Sequence, residues 1–98
     1  MRHGSESGQE FADTVALKAL GWLVGQEDLL QVFLGATGTA PDELKHRASE
    51  PDFLVSVLDF VLMDDAWVIA FCDAEGLAYT VPKAVRHALP GGEEAHWT

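Results

Sequence analysis

The sequence predicts an all-α fold, a compact bundle of about five or six short helices around one core. Three observations predict it. Apolar residues recur at spacings of three and four along most of the chain, as on the buried face of a helix. Glycine, proline and capping residues divide this pattern into segments of helical length. The chain has 98 residues, which is enough for one apolar core and too few for two.

The first helix is predicted from about Gln9 to Val24 because its apolar residues form one stripe: Ala12, Val15, Ala16, Ala19, Leu20 and Leu23. Acids at Glu27 and Asp28 favour the start of a second helix, since carboxylates stabilise the positive end of the helix dipole. Four side chains supply the buried face of that helix: Leu29, Leu30, Phe33 and Leu34. We expect Gly35 and Gly38 to end it.

The next two helices begin with the same combination of residue types, in Thr39-Ala40-Pro41-Asp42 and in Ser49-Glu50-Pro51-Asp52. The hydroxyl can cap free backbone N–H groups, proline fits the first turn, and the acid suits the helix dipole. These starts predict a third helix from about Pro41 to Ala48 and a fourth from about Pro51 to Leu62. The fourth is apolar on nearly all sides, so we expect it to be the central helix.

A fifth helix is predicted from about Asp65 to Ala74, with Asp64 as its N-terminal cap and Gly76 beyond its end. Its apolar run, Trp67 to Cys72, indicates that this helix is buried too. Because valine and isoleucine favour strands, a β-strand over Trp67 to Phe71 is an alternative, although the strict alternation typical of a strand is missing.

A last helix is predicted to start at Thr80 and to end before the breaker Pro90-Gly91-Gly92. Residues 1–8 are small and polar, and residues 91–98 are glycine-led and acidic, so we expect both to be disordered tails. The predicted organisation is therefore an N-terminal tail (1–8), one helical domain (9–90) and a flexible acidic C-terminal tail (91–98).

The charge of the chain is strongly acidic, with 16 Asp and Glu against 6 Lys and Arg and a formal net charge of −10. Such a chain repels polyanions, which makes nucleic acid or an anionic membrane an improbable main partner. We expect no signal peptide, and no transmembrane helix because three aspartates interrupt the most apolar stretch, Phe53 to Cys72. A lone cysteine, Cys72, gives no sign of an oxidising compartment, so a cytoplasmic protein is expected.

Five stretches of the chain carry a resemblance, and together they cover roughly residues 10 to 92: Ala16 to Leu23, Phe33 to Gly38, Pro51 to Phe60, Phe71-Cys72, and Leu89 to Gly92. In their order the chain resembles a family of short bacterial proteins classed only as a domain of unknown function. The resemblance implies a compact helical fold and a bacterial cytosolic setting. No catalytic or binding residue is established for that family, so the resemblance assigns none.

Residues that could carry chemistry do not form a recognisable motif. Histidines lack the three- or four-residue spacing of metal ligands on a helix: His3, His46, His87 and His96. Cys72 has no flanking nucleophile motif and is expected to be a small core residue. The pairs Glu27-Asp28 and Asp64-Asp65 each open a helix, which explains them without a ligand. We therefore predict no catalytic residue, no metal ligand and no cofactor.

Asp59 lies in the most apolar helix, where an unpaired charge is costly. Arg47, on the preceding helix, is the candidate partner, and we predict a structural ion pair between Arg47 and Asp59. Arg47 also belongs to the dense basic cluster Lys45-His46-Arg47. That cluster either binds an anion or is an ordinary cationic last turn of a helix.

Two classes of function are compatible with these observations. The first is a non-enzymatic helical module that binds another protein, or a second copy of itself, through an apolar patch framed by the acidic segment Glu50 to Glu75. Its basis is an apolar share of 48% in a short chain that lacks catalytic motifs. The second is a small DNA-binding regulator, which needs a basic recognition face that the fourth helix lacks. An enzyme of unrecognised type is a further alternative.

Overall fold

The computed structural model describes the backbone of residues 3–89 and the side chains of residues 10–89. Within this range there is no strand, and the chain forms six α-helices: α1 (His3–Val24), α2 (Glu27–Thr37), α3 (Leu44–Arg47), α4 (Pro51–Val61), α5 (Asp65–Glu75) and α6 (Val81–Ala88). The radius of gyration, 13.3 Å, is close to the ~13 Å expected of a compact domain of this length. The predicted all-α bundle is confirmed, and the alternative strand over residues 67–71 is wrong.

Apolar side chains from five of these helices form one core, and α1 and α4 contribute most of it. α1 packs against α4, α6, α2 and α5, and α4 also contacts α6. The buried face of α1 contains three alanines, whose small side chains let other helices approach closely: Ala12, Ala16 and Ala19. The fourth helix is therefore central, as predicted, but it shares the centre of the bundle with α1.

Two glycines end helices because the backbone there is left-handed. Gly38 after α2 and Gly76 after α5 both have φ of +68°. The N–H of the next residue donates to a carbonyl five residues back, from Thr39 to Leu34 at 3.1 Å, which is the pattern of a Schellman motif. Gly35, expected to help end α2, instead lies inside it, because the helix continues to Thr37.

Hydroxyl capping at the two proline-containing starts is not what the structure shows. Ala40 and Glu50 occupy the N-cap positions, and neither of these two side chains caps a free N–H group. Ser49 Oγ instead donates to the carbonyl of His46 at 3.1 Å. The prediction is wrong here because Thr39 and Ser49 each lie one residue too early along the chain to reach the free N–H groups.

The remaining differences between the predicted and the observed helices concern where the helices begin and end and how far they are buried. The third helix is split into a 3-10 turn, Pro41–Glu43, followed by α3. α5 is half-exposed along its length, with Ile69 43% exposed, so it lies at the surface. α1 begins at His3, earlier than the expected start near Gln9. The disorder of residues 1–8 stays a prediction, and His96, the breaker at residues 90–92 and the tail 91–98 lie outside the described residues.

Candidate functional site

Asp59 on α4 is bound by Arg86 on α6. Arg86 Nε lies 2.5 Å from Asp59 Oδ1, and Arg86 Nη2 lies 3.4 Å from Oδ2. This pairing corrects the predicted partner, Arg47. α6 packs alongside α4 and brings Arg86 to the same edge, where the Asp59 side chain is 54% exposed. Asp59 therefore belongs to a solvated contact between helices.

Arg47, the last residue of α3, contacts residues on both sides of that helix. Its Nε lies 3.2 Å from Glu50 Oε1, its Nη1 donates to Thr39 Oγ1 at 3.3 Å, and its guanidinium carbon lies 4.9 Å from the Phe53 ring centroid. Thr39 is itself buried. The Arg47 side chain is therefore engaged in contacts with Thr39, Glu50 and Phe53.

Lys45 lies on a surface groove between α1 and the segment formed by the 3-10 turn and α3. We call this the α1–α3 groove. It has a volume of about 440 Å³, and its walls are apolar apart from Lys45: Leu17, Leu20, Gly21 and Val24 on α1, and Pro41, Leu44, Lys45 and Ala48 opposite. The α1 residues follow the three-and-four spacing of a single helix face, beside the face that α1 buries in the core.

Gly21 keeps the centre of the groove open. A Cβ placed at Gly21 would meet no neighbouring atom within 4 Å, and the backbone there is helical, so the conformation does not require glycine. Leu17 and Val24 flank this position and are each 47% exposed. α1 therefore presents two turns of apolar surface that no described part of the chain covers.

A family model described as Protein of unknown function (DUF3572) matches residues 9–92. The chain belongs to the DUF3572 family. This confirms the resemblance to a domain of unknown function, and the matched region contains every residue that lines the α1–α3 groove. Searches among curated proteins and among solved structures returned no match.

Two tryptophans of the DUF3572 chain, Trp22 and Trp67, line another cavity. Trp22 lies 6.0 Å from Phe71 between ring centroids, and Trp67 stacks on Phe60 at 4.9 Å. The cavity beside them measures about 390 Å³ and also includes the first residues of α2, with Glu27 among them. Polar and apolar groups are mixed there, in contrast to the α1–α3 groove.

Cys72 is buried, as predicted for a small core residue. Its Sγ–H donates to the carbonyl of Ala78 at 3.5 Å. Burial, and secondly the charge of Asp73, raise the pKa of the Cys72 thiol, so the reactive thiolate is disfavoured. Tyr79 donates a hydrogen bond to Asp73 Oδ1 at 2.7 Å, and this bond raises the pKa of Tyr79.

The described residues of the DUF3572 chain contain neither a clustered set of metal-ligating side chains nor a membrane-spanning helix. No group of three or more His, Cys, Asp and Glu side chains within them is placed to hold a metal ion. Nor does any helix in that range combine the length and apolar character needed to cross a bilayer.

The α1–α3 groove was missed by sequence reasoning, which placed an apolar patch beside Glu50 to Glu75. A signal was present, since Leu17 and Val24 lie seven residues apart and outside the buried stripe of the first helix. That signal is weak by itself, because single apolar residues are common on soluble surfaces. The two side chains line a groove because α3 lies opposite them, and the sequence pattern of α1 does not show where α3 packs.

Proposed function

We propose that this DUF3572 protein is a non-enzymatic helical module that binds a short segment of another protein in the α1–α3 groove. The observation that carries the proposal is the open apolar groove, with Leu17 and Val24 half-exposed on either side of Gly21. A contiguous apolar surface of this kind is typical of interaction sites. Leu20 reaches from the groove into the core, which supports a rigid site.

The size of the groove favours a short segment as the occupant. From Leu17 to Val24 the α1 wall spans two turns, about 10 Å at ~1.5 Å per residue. Eight residues line the groove, whereas a standard protein interface uses about 20–30 residues on each side. Two turns of a partner's helix match this length, while a stable dimer of folded domains needs more surface.

The alternative functions receive less support. A DNA-binding regulator would use α4 as its recognition helix, but α4 carries Asp52 and Asp59 and no basic residue. α3 has only four residues, Leu44–Arg47, which is about one turn. For an enzyme, the observations on Cys72 offer a buried thiol with a raised pKa in place of an activated nucleophile.

Gly21→Met tests this proposal because it fills the groove without disturbing the core. Gly35→Met is the matched control, since a Cβ at Gly35 on α2 also meets no neighbour within 4 Å and lies outside the groove. Replacing a helical glycine should stabilise each variant by about 0.5–1 kcal/mol in urea denaturation. Partner capture from a bacterial lysate should be lost in Gly21→Met and kept in Gly35→Met.

The comparison between the two variants makes this test specific. A protein that the wild type and Gly35→Met retain at high salt, and that Gly21→Met does not, supports binding in the groove. Retention of the same proteins by all three forms would place the interaction elsewhere on the surface. Capture of nothing by the wild type would also contradict the proposed function.

A further inference from the structure

We infer that the segment bound in the α1–α3 groove is an amphipathic helix that carries a carboxylate opposite Lys45. This inference rests on the proposed function and adds the chemistry of the partner. Three observations carry it: the absence of a salt bridge at Lys45 within the described residues, the shape of the α1 wall, and the lack of a strand edge in residues 3–89.

Lys45, like Lys83, forms no salt bridge in the described part of the chain. Three other cations there are bound to carboxylates: Lys18 to Glu75 at 3.6 Å, Arg47 to Glu50, and Arg86 to Asp59. No ion pair between side chains of residues 10–89 includes Lys45. In a chain with a net charge of −10, this leaves a local positive charge beside an apolar groove.

The position of Lys45 suits an ion pair across an interface. The methylene groups of a lysine can lie along an apolar wall while its ammonium reaches the rim, where water is nearby. A carboxylate at the edge of a partner's apolar stripe would meet that ammonium. Such a rim pair adds modest affinity and discriminates strongly against a partner with a positive charge at the same place.

The α1 wall has the form that accepts a helix. Leu17, Leu20 and Val24 make a ridge with the spacing of one helix face, and Gly21 leaves a depression within it. A large side chain of a second helix can insert into such a depression, as a knob enters a hole. The apolar residues of the partner should therefore recur at i, i+3 or i+4, and i+7.

An extended segment would bind less well in this groove. Peptides bind as added strands when a sheet edge offers its backbone N–H and C=O groups, and residues 3–89 contain no strand. A helix satisfies its own backbone groups and can lie on an apolar surface without that help. A second copy of this chain is also disfavoured, since two copies would each bring a charge of −10.

A displayed library of helical peptides tests the inference with the full chain as bait. The peptides should be about 16 residues long, which is enough to hold a helix in water, with randomised positions along one face. We expect selected peptides to carry large apolar residues at the spacing above and an Asp or Glu at one edge. Fluorescence anisotropy of a labelled selected peptide then gives its affinity for each variant.

Charge reversal at Lys45 separates this inference from the proposed function. Lys45→Glu should weaken binding about tenfold, and replacing the carboxylate of the peptide by lysine should restore it. Lys83→Glu is the matched control because Lys83 is an exposed lysine on α6, outside the groove, and it should change the affinity less than about twofold.

The outcomes distinguish a wrong partner chemistry from a wrong binding site. If Gly21→Met abolishes peptide binding while Lys45→Glu does not alter it, the acidic partner is wrong and the groove function stands. If no selected peptide is sensitive to Gly21→Met, both are wrong. If light scattering shows a dimer that Gly21→Met dissociates, the occupant is a second copy and the inference is overturned.

Discussion

Burial determines the reactivity of the Cys72 thiol. Its side chain is fully covered by the core, and its thiol donates to a backbone carbonyl across the turn after α5. Desolvation and the nearby charge of Asp73 both favour the neutral thiol and raise its pKa. The residue stabilises the fold as a small apolar group, and its chemistry appears only when the thiol is forced to ionise.

The raised pKa of Cys72 predicts a loss of stability in alkali. A group whose pKa is higher in the folded state contributes stability below its unfolded pKa, and that contribution is lost as pH rises through the folded pKa. Urea denaturation of the wild type should therefore show stability falling as pH rises above 9.0, the ordinary pKa of the thiol. In Cys72→Ala the fall should be smaller.

Tyr79 provides the control for that experiment, because its pKa is also raised, from an ordinary value of 10.0. Tyr79→Phe removes the contribution of the phenol and leaves the thiol in place. An equal loss of stability in the wild type and in Cys72→Ala would show that the thiol is not responsible.

Asp59 shows what can be predicted at the scale of one residue. Its position in an apolar helix was sufficient to predict that it needs a partner or water. Arg47 and Arg86 were both available on neighbouring helices, and sequence alone favoured the nearer one. The choice depends on which helix packs beside α4, and the periodicity of a sequence does not contain the packing order.

At the scale of the element, two similar N-terminal signals have different outcomes. Asp64 Oδ1 accepts a hydrogen bond from the N–H of Ala66 at 2.8 Å and caps α5. Ser49 precedes α4 and makes no such bond with it. A capping residue must itself be the last non-helical residue, and the proline two positions after Ser49 moves that place to Glu50.

Asp64→Ala and Ser49→Ala therefore form a matched pair of truncations. We expect Asp64→Ala to lower the free energy of unfolding by about 1 kcal/mol, through the lost cap and a lost charge at the helix N-terminus. Ser49→Ala should change it by less than about 0.5 kcal/mol, as at an ordinary surface site. Equilibrium unfolding in urea measures both, and an equal effect of the two changes would contradict the assignment of the cap.

Helix ends with local signals were predicted well. α4 and α5 end one residue from their predicted ends, since proline, aspartate and glycine act on the backbone beside them. The segment after Pro41 was predicted less well. There Glu43 Oε1 accepts a hydrogen bond from the N–H of Ala40 at 2.8 Å and supports a tight 3-10 turn. The free-energy difference between a 3-10 turn and an α turn is small, so residue preferences do not predict which of the two forms.

At the scale of the whole molecule, charge opposes the compact state. The acidic segment Glu50 to Glu75 holds seven carboxylates without a lysine or arginine, and it folds into two adjacent helices, α4 and α5. Ion pairs from α1 and α6 neutralise part of this charge, through Lys18 and Arg86. Many carboxylates of the segment are exposed, so their mutual repulsion depends on the ionic strength of the solvent.

Added salt should therefore stabilise this protein. In KCl raised from about 0.01 M to 0.3 M, screening lengths fall from about 30 Å to below 10 Å, and the melting temperature should rise by a few degrees. Circular dichroism at 222 nm is a suitable measure for an all-α chain. The Lys83→Glu variant, with a more negative net charge, should show a steeper rise. A melting temperature that falls with salt would indicate that ion pairs outweigh the repulsion.

The fold was predictable to a greater extent than the site. The excess of apolar residues indicated a surface for a partner, but the predicted position, beside Glu50 to Glu75, differs from the α1–α3 groove. Leu17 and Val24 became a wall because α3 is short and Gly21 leaves space next to it. Such a groove is a property of helix packing, which a single sequence specifies only through the sum of all its contacts.

The packing of α1 against α6 has a consequence for how the protein folds during its synthesis on the ribosome. Phe11 on α1 lies beside Val81, Val85 and Ala88 of α6, so the first of the described helices packs against the last of them. At a synthesis rate of about 5–20 residues per second, α1 waits several seconds for that neighbour. During this interval the part of the apolar stripe of α1 that α6 covers stays exposed, as is general for apolar surface in incompletely synthesised domains.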